Sequence, residues 1–471
     1  MSGPRSTTTD SPRRDEPTDP RPFAAESLSW VRLEYPTGWF RKRLRFVVDM
    51  NPTRGPDICG DPAEPVTFVP MEAIGERGEL DRTRVRPRGE VLSGFTRFRD
   101  GDVLVAKITP CFENGKGAIA LGLLRGVGFG TTELHVLRPS ALIDSRFLYY
   151  VTTSHLFRVA GAASMYGAAG QQRVGESFIR NFLVGLPPRD LQRRIAAHLD
   201  RKTAAVDDLI AKKERLIELL EEKRQAVITQ AVTKGLDPSV PKKDSGLDWV
   251  GAIPRHWSVA RISYLSRVTN GTTPDRSEPE YWTDGTVPWL SSGKVNDHVV
   301  LVADEFITAR ALGECSLELL PPGSVLVGMI GQGKTRGMSA ITRIAATINQ
   351  NTAGIVVGPR LDEKFLLSVL TAAYVPLREF GRGGQQDALN CQIIGAFPIP
   401  LPTIGEQRKI VDLIEAASSD GRSAVEKLKL QADRLREYRQ ALITAAVTGQ
   451  IDVEALASDR DDVVEAEKTD G

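Results

Sequence analysis

An α+β fold is predicted for this chain: two globular domains, each followed by one long helix, with the two helices pairing as an antiparallel coiled coil. Three observations predict it. KRQAVITQAVTKGLD (223–237) and YRQALITAAVTGQID (438–452) are identical at nine of fifteen positions, with Arg224 and Arg439 standing 215 residues apart. The stretch before each phrase steps its apolar residues by threes and fours. The segments before those are rich in β-branched residues, glycine and proline, and DVLVAKI (102–108) alternates as a strand does.

In chain order, residues 1–27 are rich in Pro, Ser, Thr and charge and form no apolar core, so they are expected to be a disordered tail rather than a signal peptide. Residues 28–185 form the first globule. A long helix is expected over 186–235, carried by Ile195, Leu199, Val206, Leu209, Leu216, Leu220 and Val227. A linker over 236–252 contains GLDPSVPKKDSG in part, and the second globule covers 253–400. The second long helix, 401–450, carries Ile410, Ile414, Val425, Leu428, Leu435 and Leu442, and an acidic tail at 451–471 closes the chain. Thr403 and Glu406 make a capping-box pattern, and Gly235 and Gly449 stand just past the helix ends. Each helix would run for about 45 residues, or roughly 65 Å. Such a helix leaves its apolar stripe wet unless it finds a partner, and the other copy is preferred over each helix packing on its own globule. The globules are fainter copies of each other: PTGW (36–39) against PRHW (254–257), GDVLV (101–105) against GSVLV (323–327), and GQQ at 170–172 and 384–386.

The totals exclude several classes. With 61 basic and 60 acidic residues, any nucleic-acid surface must be a local patch. Cys59, Cys111, Cys315 and Cys391 show no metal-ligand spacing, so no metal site is expected. No apolar run of about 18 residues occurs, so no membrane span is expected and the chain is read as cytoplasmic. GMIGQGKT (328–335) fits a phosphate-loop pattern and follows a strand-like SVLVGMI, but the β-branched, glycine-containing residues after it do not begin a helix. GVGFG (126–130) looks like a methyltransferase glycine loop without the rest of its motif set, and His198 and His256 have no motif-placed nucleophile or carboxylate. No catalytic constellation is found.

GLDWVGAIPRHWSVARI, LPPRDLQRRIAAHLD, LPTIGEQRKIVDLI and the two repeated phrases together resemble the specificity subunits of type I restriction-modification enzymes over roughly residues 28–452. One departure is the opening of the first half, SLSWVRLEYPTGWFRKRL, which lacks the Gly-x-Ile-Pro step found at 251–254. The resemblance implies a non-catalytic subunit for bacterial defence in which each globule reads one half of a bipartite, asymmetric double-stranded DNA target. It also implies that the helices hold the globules apart and dock two methyltransferase subunits and restriction/translocase subunits. The chain itself would need no cofactor; S-adenosylmethionine, ATP and Mg would belong to those partners. Base reading needs forked donors and phosphate holding needs Lys or backbone amides. The candidates in glycine-rich surroundings are Lys107, Asn114, Lys116, Gln171, Gln172 and Arg173 in the first globule, and Lys294, Lys334, Arg336, Gln385 and Gln386 in the second. The competing readings are a nucleotide-binding protein using Gly328–Thr335 and a coiled-coil scaffold that binds no DNA.

Overall fold

Two long helices, Arg189–Lys234 and Ile404–Val447, punctuate the fold seen in the computed structural model, which describes residues 34–52, 61–168, 170–331, 333–380 and 388–452. The N-terminal tail, all but two residues of the C-terminal tail, Cys59 and the second GQQ, with Gln385 and Gln386, lie outside the described residues.

The helices bury a seam with alternating steps of four and three. It runs through Leu199, Thr203, Val206, Ile210, Lys213, Ile217, Leu220 and Arg224 in the first helix, and through Gln407, Val411, Ile414, Ser418, Gly421, Val425, Leu428, Ala432, Leu435, Arg439 and Leu442 in the second. That is the 3.5-residue period of a coiled-coil seam. Leu209 and Leu216, expected on the stripe, are exposed at 47% and 45%. Each stands one position before the seam residue, Ile210 or Ile217, and one residue turns a helix by about 100°.

The chain divides into two compact units: residues 1–211 with 432–471, and residues 212–431. Each unit therefore holds one globule and a segment of both long helices. In the first, Ile195, Ala196 and Leu199 share a core with Leu442, Ile443, Ala446 and Val447. In the second, Ile228, Ala231 and Val232 share one with Ile410, Val411 and Ile414. The two segments inside each unit thus run in opposite directions.

Both globules are built around an antiparallel sheet. In the first unit its strand order is Val48–Met50, Leu134–Pro139, Val103–Ala106, Gly117–Ile119. In the second it is Ser266–Asn270, Thr352–Val357, Val325–Gly328, Ser339–Thr342, with Val299–Val300 added in parallel at the edge. GDVLV and GSVLV thus supply equivalent strands. A second sheet accompanies each. It includes Pro65–Val69 with Val127–Gly130 in the first unit, and Val287–Leu290 with Thr347–Ile348 in the second, each pair parallel. GVGFG is therefore buried strand rather than cofactor loop. A Cβ on Gly130 would meet the Val69 carbonyl oxygen at 2.5 Å, so glycine there permits close packing.

Matching residues tie the helices to the globules. Gln192 and Gln407, the repeated Gln-Arg of the sequence, are buried at the helix starts. The Gln407 side chain accepts from the Asp362 amide at 2.8 Å and donates to the carbonyls of Arg360 and Pro402 at 3.0 Å each. Gln192 accepts from the Asp144 amide at 2.8 Å and donates to Leu142 and Pro187. Asp144 and Asp362 in turn cap the helices Ser145–Thr153 and Glu363–Ala372. At the far ends, Gly235 and Gly449 both take φ of +75°. A Cβ on Gly235 would meet Trp257 at 3.2 Å, and one on Gly449 would meet Trp39 at 3.2 Å and Pro36 at 2.4 Å. Each Pro-x-x-Trp motif thus seats the glycine end of the helix that does not follow its own globule.

The capping box is realised only in part. The Glu406 amide approaches the Thr403 hydroxyl at 3.4 Å, but the Glu406 carboxylate accepts from the Trp257 indole at 2.9 Å and sits 3.0 Å from His256 Nε2. The interval 236–252 is not plain linker, since Lys242–Asp244 pairs with Ala252–Pro254.

Candidate nucleic-acid interface

In each globule, the hairpin after the central strand carries several of the candidate residues. In the first unit this hairpin joins Val103–Ala106 to Gly117–Ile119 and holds Lys107, Asn114 and Lys116. Inside it, the amides of Phe112, Asn114, Gly115 and Lys116 bond to the carbonyls of Ile108, Pro110, Phe112 and Cys111. Phe112 is buried and plugs the turn into the core. The GQQ segment is stitched alongside: Thr109 N donates to Gln172 O at 2.9 Å, Gln172 N to Thr109 Oγ1 at 3.1 Å, and Val174 N to Lys107 O at 2.8 Å. Five of the six candidates of the first globule therefore lie on two adjoining loops, with Arg173 bridging to Ile108.

The second unit repeats the arrangement. Its hairpin joins Val325–Gly328 to Ser339–Thr342, and Leu389 N donates to Met329 O at 3.0 Å, as Val174 does to Lys107. This hairpin is the phosphate-loop match. The strand is followed by another strand and not by a helix, so the geometry that aims successive amides at a nucleotide is missing.

An arginine clamps each hairpin. Arg158, from the helix His155–Ala163, donates to Glu113 O at 3.0 Å through Nε and again through Nη2. Arg378, from Tyr374–Phe380, donates to Gly333 O at 3.1 Å and Arg336 O at 2.9 Å, while the Tyr374 hydroxyl donates to Lys334 O at 2.8 Å. Burial, its leading influence, holds Arg158 below the usual arginine value. Both clamps act on backbone carbonyls, and no sequence motif marked them.

The candidates differ in freedom. Gln171 and Lys334 are exposed, and Asn114 is exposed while donating to Glu76 at 2.9 Å. Lys107 is half-buried, and Lys116 reaches the Met71 carbonyl only at 3.5 Å. Arg173 is gripped by Glu133 at 2.8–3.2 Å through three contacts. Those hydrogen bonds, ahead of the charge itself, pull Glu133 below the usual carboxylate range and push Arg173 up. Lys294 is held between Asp297 and Asp304 at 3.0 Å each. Arg336 is buried at 6% exposure. Lys294 is thus held by two carboxylates, and Arg336 is buried, in this conformation. His198 is buried on the first long helix, and His256 faces Glu406.

The fold adds two cations that sequence reasoning missed. The Arg86 guanidinium lies 4.1 Å from the Phe68 ring, and that of Arg276 lies 3.8 Å from the Trp282 ring. Arg82, Arg84, Arg86 and Arg88 alternate in the sequence, which was a legible signal of arginines on one strand face. No group of three or more metal-ligating side chains was found among the described residues, and no described helix is long and apolar enough to cross a membrane.

Residues 254–431 match the family model of the type I restriction modification DNA specificity domain. The chain is 39% identical over 180 residues to the type I restriction enzyme EcoEI specificity subunit of Escherichia coli, and 37% over 179 residues to the EcoAI specificity subunit. Each match covers 38% of this chain and 30% of the relative, so the chain matches under a third of those relatives' length. A longer match, 22% identical, joins 75% of the chain to 79% of the putative MjaX specificity subunit of Methanocaldococcus jannaschii. Among solved structures, a chain from a study of assembly and conformational transition of the type I R-M system superposes with a TM-score of 0.71 at 20% identity. That superposition covers 89% of this chain and all of the other. The HsdS subunit of Thermoanaerobacter tengcongensis gives 0.51 at 20% identity, covering 89% of this chain and 98% of its own. At such identity these two likenesses describe the fold.

Proposed function

We propose that this chain belongs to the family of type I restriction enzyme specificity subunits and is the DNA-reading, non-catalytic member of such a complex. One observation supports this reading above the others. Two like units each present a clamped, glycine-rich hairpin beside the ends of the same two helices, so one chain carries two similar but non-identical readers. Two non-identical readers recognise a split, non-palindromic target. Residues 28–185 and 253–400 are the target-recognition domains, and residues 186–235 and 401–450 pair as an antiparallel coiled coil that sets the spacer. The 3.5-residue seam and the opposed segments inside each unit support that pairing.

In this reading the exposed residues of the hairpins and of the adjoining loop, Asn114, Lys334 and Gln171, meet DNA first, together with Lys107, Lys116, Gln172, Gln385 and Gln386. Backbone carbonyls gripped by Arg158 and Arg378 fix the loops before DNA arrives, which lowers the ordering cost of binding. Arg173 enters recognition only by exchanging Glu133 for a base or phosphate. Methyl transfer and ATP-driven steps, with S-adenosylmethionine, ATP and Mg, belong to partner subunits in the cytoplasm. The test is methylation mapping in cells expressing this chain with its cognate modification subunit. A bipartite, asymmetric motif is expected, and exchanging residues 28–185 for a relative's domain should change one half-site alone. A motif in which both halves change would overturn the two-reader assignment.

A further inference from the structure

The second unit holds a cleft beside its hairpin, a cavity of about 430 Å³ lined by four side-chain amides: Asn270, Gln350, Asn390 and Gln392. Three connected stretches bring them together. Asn270 ends the edge strand Ser266–Asn270 and pairs with Ala353 of Thr352–Val357, the strand that Gln350 leads into. Met329, one residue past Val325–Gly328, donates its amide to the Asn351 carbonyl at 2.9 Å, and its own carbonyl accepts from the Leu389 amide at 3.0 Å. That second bond seats Asn390 and Gln392, at the start of the helix Cys391–Ala396, beside the hairpin.

The loop after Asn270 is fixed before any ligand arrives. Gly271 passes so close to the Ile348 carbonyl oxygen that a Cβ would meet it at 1.6 Å. The Thr272 carbonyl accepts from the Trp289 indole at 3.1 Å, and the Thr273 hydroxyl donates to Gln350 Oε1 at 2.6 Å. Asn390 Oδ1 accepts from the Ile393 amide at 2.8 Å as the helix cap. Gln350 and Asn390 are thus held, whereas the exposed amides of Asn270 and Gln392 have no hydrogen-bond partner among the described residues. In the first unit the corresponding amide is spent inside the fold. Asn51, just past the equivalent strand Val48–Met50, donates to Glu176 at the start of the helix Glu176–Asn181 and accepts from the Val136 amide at 2.8 Å.

The rest of the described lining is uncharged. Met329, Ile330 and Leu389 supply apolar surface, with Ile330 exposed at 50%, and burial pushes the Cys391 thiol up.

We propose that this cleft reads an A·T base pair in the half-site of the second unit, with Asn270 and Gln392 as specificity-determining residues; the proposal rests on the DNA-reading function above. A side-chain amide sets a donor beside an acceptor, the complement of adenine N7 and N6, and apolar surface suits the thymine methyl. Guanine is met by a cationic donor and cytosine by a carboxylate instead. Because Asn51 is engaged within the first unit, this cleft serves one half-site only.

The test maps the methylation directed by the full chain with its cognate modification subunit. The half-site of residues 253–400 is the one that survives exchange of residues 28–185. The parent should require adenine at one position of that half-site. Asn270→Ala and Gln392→Ala, both at exposed positions, should admit other base pairs at that position and leave the rest of the motif intact. In duplex binding by the same complex, 7-deazaadenine at that position, which lacks the N7 acceptor, should weaken the parent about ten-fold and leave at least one of the variants unaffected. The cleft's role would be overturned by a half-site without adenine, by unchanged motifs in both variants, or by an analogue that weakens both variants as it does the parent. Equal weakening of both variants on specific and random DNA would overturn it too. In each of those outcomes a bipartite motif in the parent leaves the reading function standing; methylation directed to no motif by the parent would overturn that function itself.

Discussion

If the paired helices set the spacer, lengthening both by one heptad should lengthen the recognised DNA. The structure says where to insert. Lys213 and Gln431 bond across the seam at 2.8 Å, so seven residues after Lys213 and seven before Gln431 enter at one level. Because the buried positions alternate in steps of four and three, a heptad keeps the seam in phase. Seven residues add about 10 Å at about 1.5 Å each. DNA rises about 3.4 Å per base pair, so the preferred spacer should grow by about three base pairs while both half-sites keep their sequence. Those base pairs also turn one half-site by roughly 100°, at about 10.5 per turn, so some loss of affinity accompanies the change. A four-residue insertion is the control: it puts the seam about 50° out of phase and should destabilise the protein instead. The assay is methylation mapping with the cognate modification subunit. Unchanged spacing at full activity would refute the ruler and leave the helices' length to partner docking alone.

Gln407→Leu leaves the Asp362 amide and two carbonyls without their buried partner, and should cost at least about 2 kcal/mol in urea unfolding, with Gln192→Leu costing a similar amount. Wild-type stability in both would show that the amides do not join helix to globule. Lys334→Ala should weaken DNA binding on all sequences and reduce the salt slope by about one. Neither it nor the parent should turn over ATP, and specific nucleotide binding lost in the variant would revive the phosphate-loop reading. The Glu133–Arg173 link should be pH-sensitive: Glu133 lies below its ordinary value of 4.5 in the fold, so its contribution is present above that pH and fades as pH falls through the lowered value. Amide exchange at Arg173 and Val174 should accelerate over that window, and Glu133→Gln should abolish the pH dependence.

The sequence carried the helices because their signal is redundant: a repeated phrase, glycines past both ends and apolar steps of three and four all agree. It misplaced the stripe at Leu209 and Leu216, since a period of 3.6 and one of 3.5 differ by little over two turns but choose different residues over six. It located the hairpins through their glycines and the strands GDVLV and GSVLV. Which charges stay free was hidden, because the answer lies in which partners the fold brings to each of them. Lys294 is held by Asp304, Arg173 by Glu133, and Arg336 is buried. Arg158 and Arg378 left no trace because their hairpin partners are backbone carbonyl oxygens, which every residue has.

The repeat keeps its identity at the helix ends for a physical reason. Ile228, Ala231, Val232 and Thr233 are buried in the second unit, as Ile443, Ala446, Val447 and Thr448 are in the first. Thr233 and Thr448 each turn the hydroxyl back to a carbonyl four residues earlier, at 2.6 and 2.7 Å. Each such end docks on a Pro-x-x-Trp motif that belongs to the other half of the sequence, Trp257 for the first helix and Trp39 for the second. A residue at the first of these ends must fit a motif in the globule that follows it, and one at the second must fit a motif near the opposite end of the chain, so a change in one is felt by the other. Among the described residues, the clamps on the hairpins come from their own half of the sequence, Arg158 for the first and Arg378 for the second. The hairpins are free to differ, and two readers of different half-sites, as proposed above, would require that freedom.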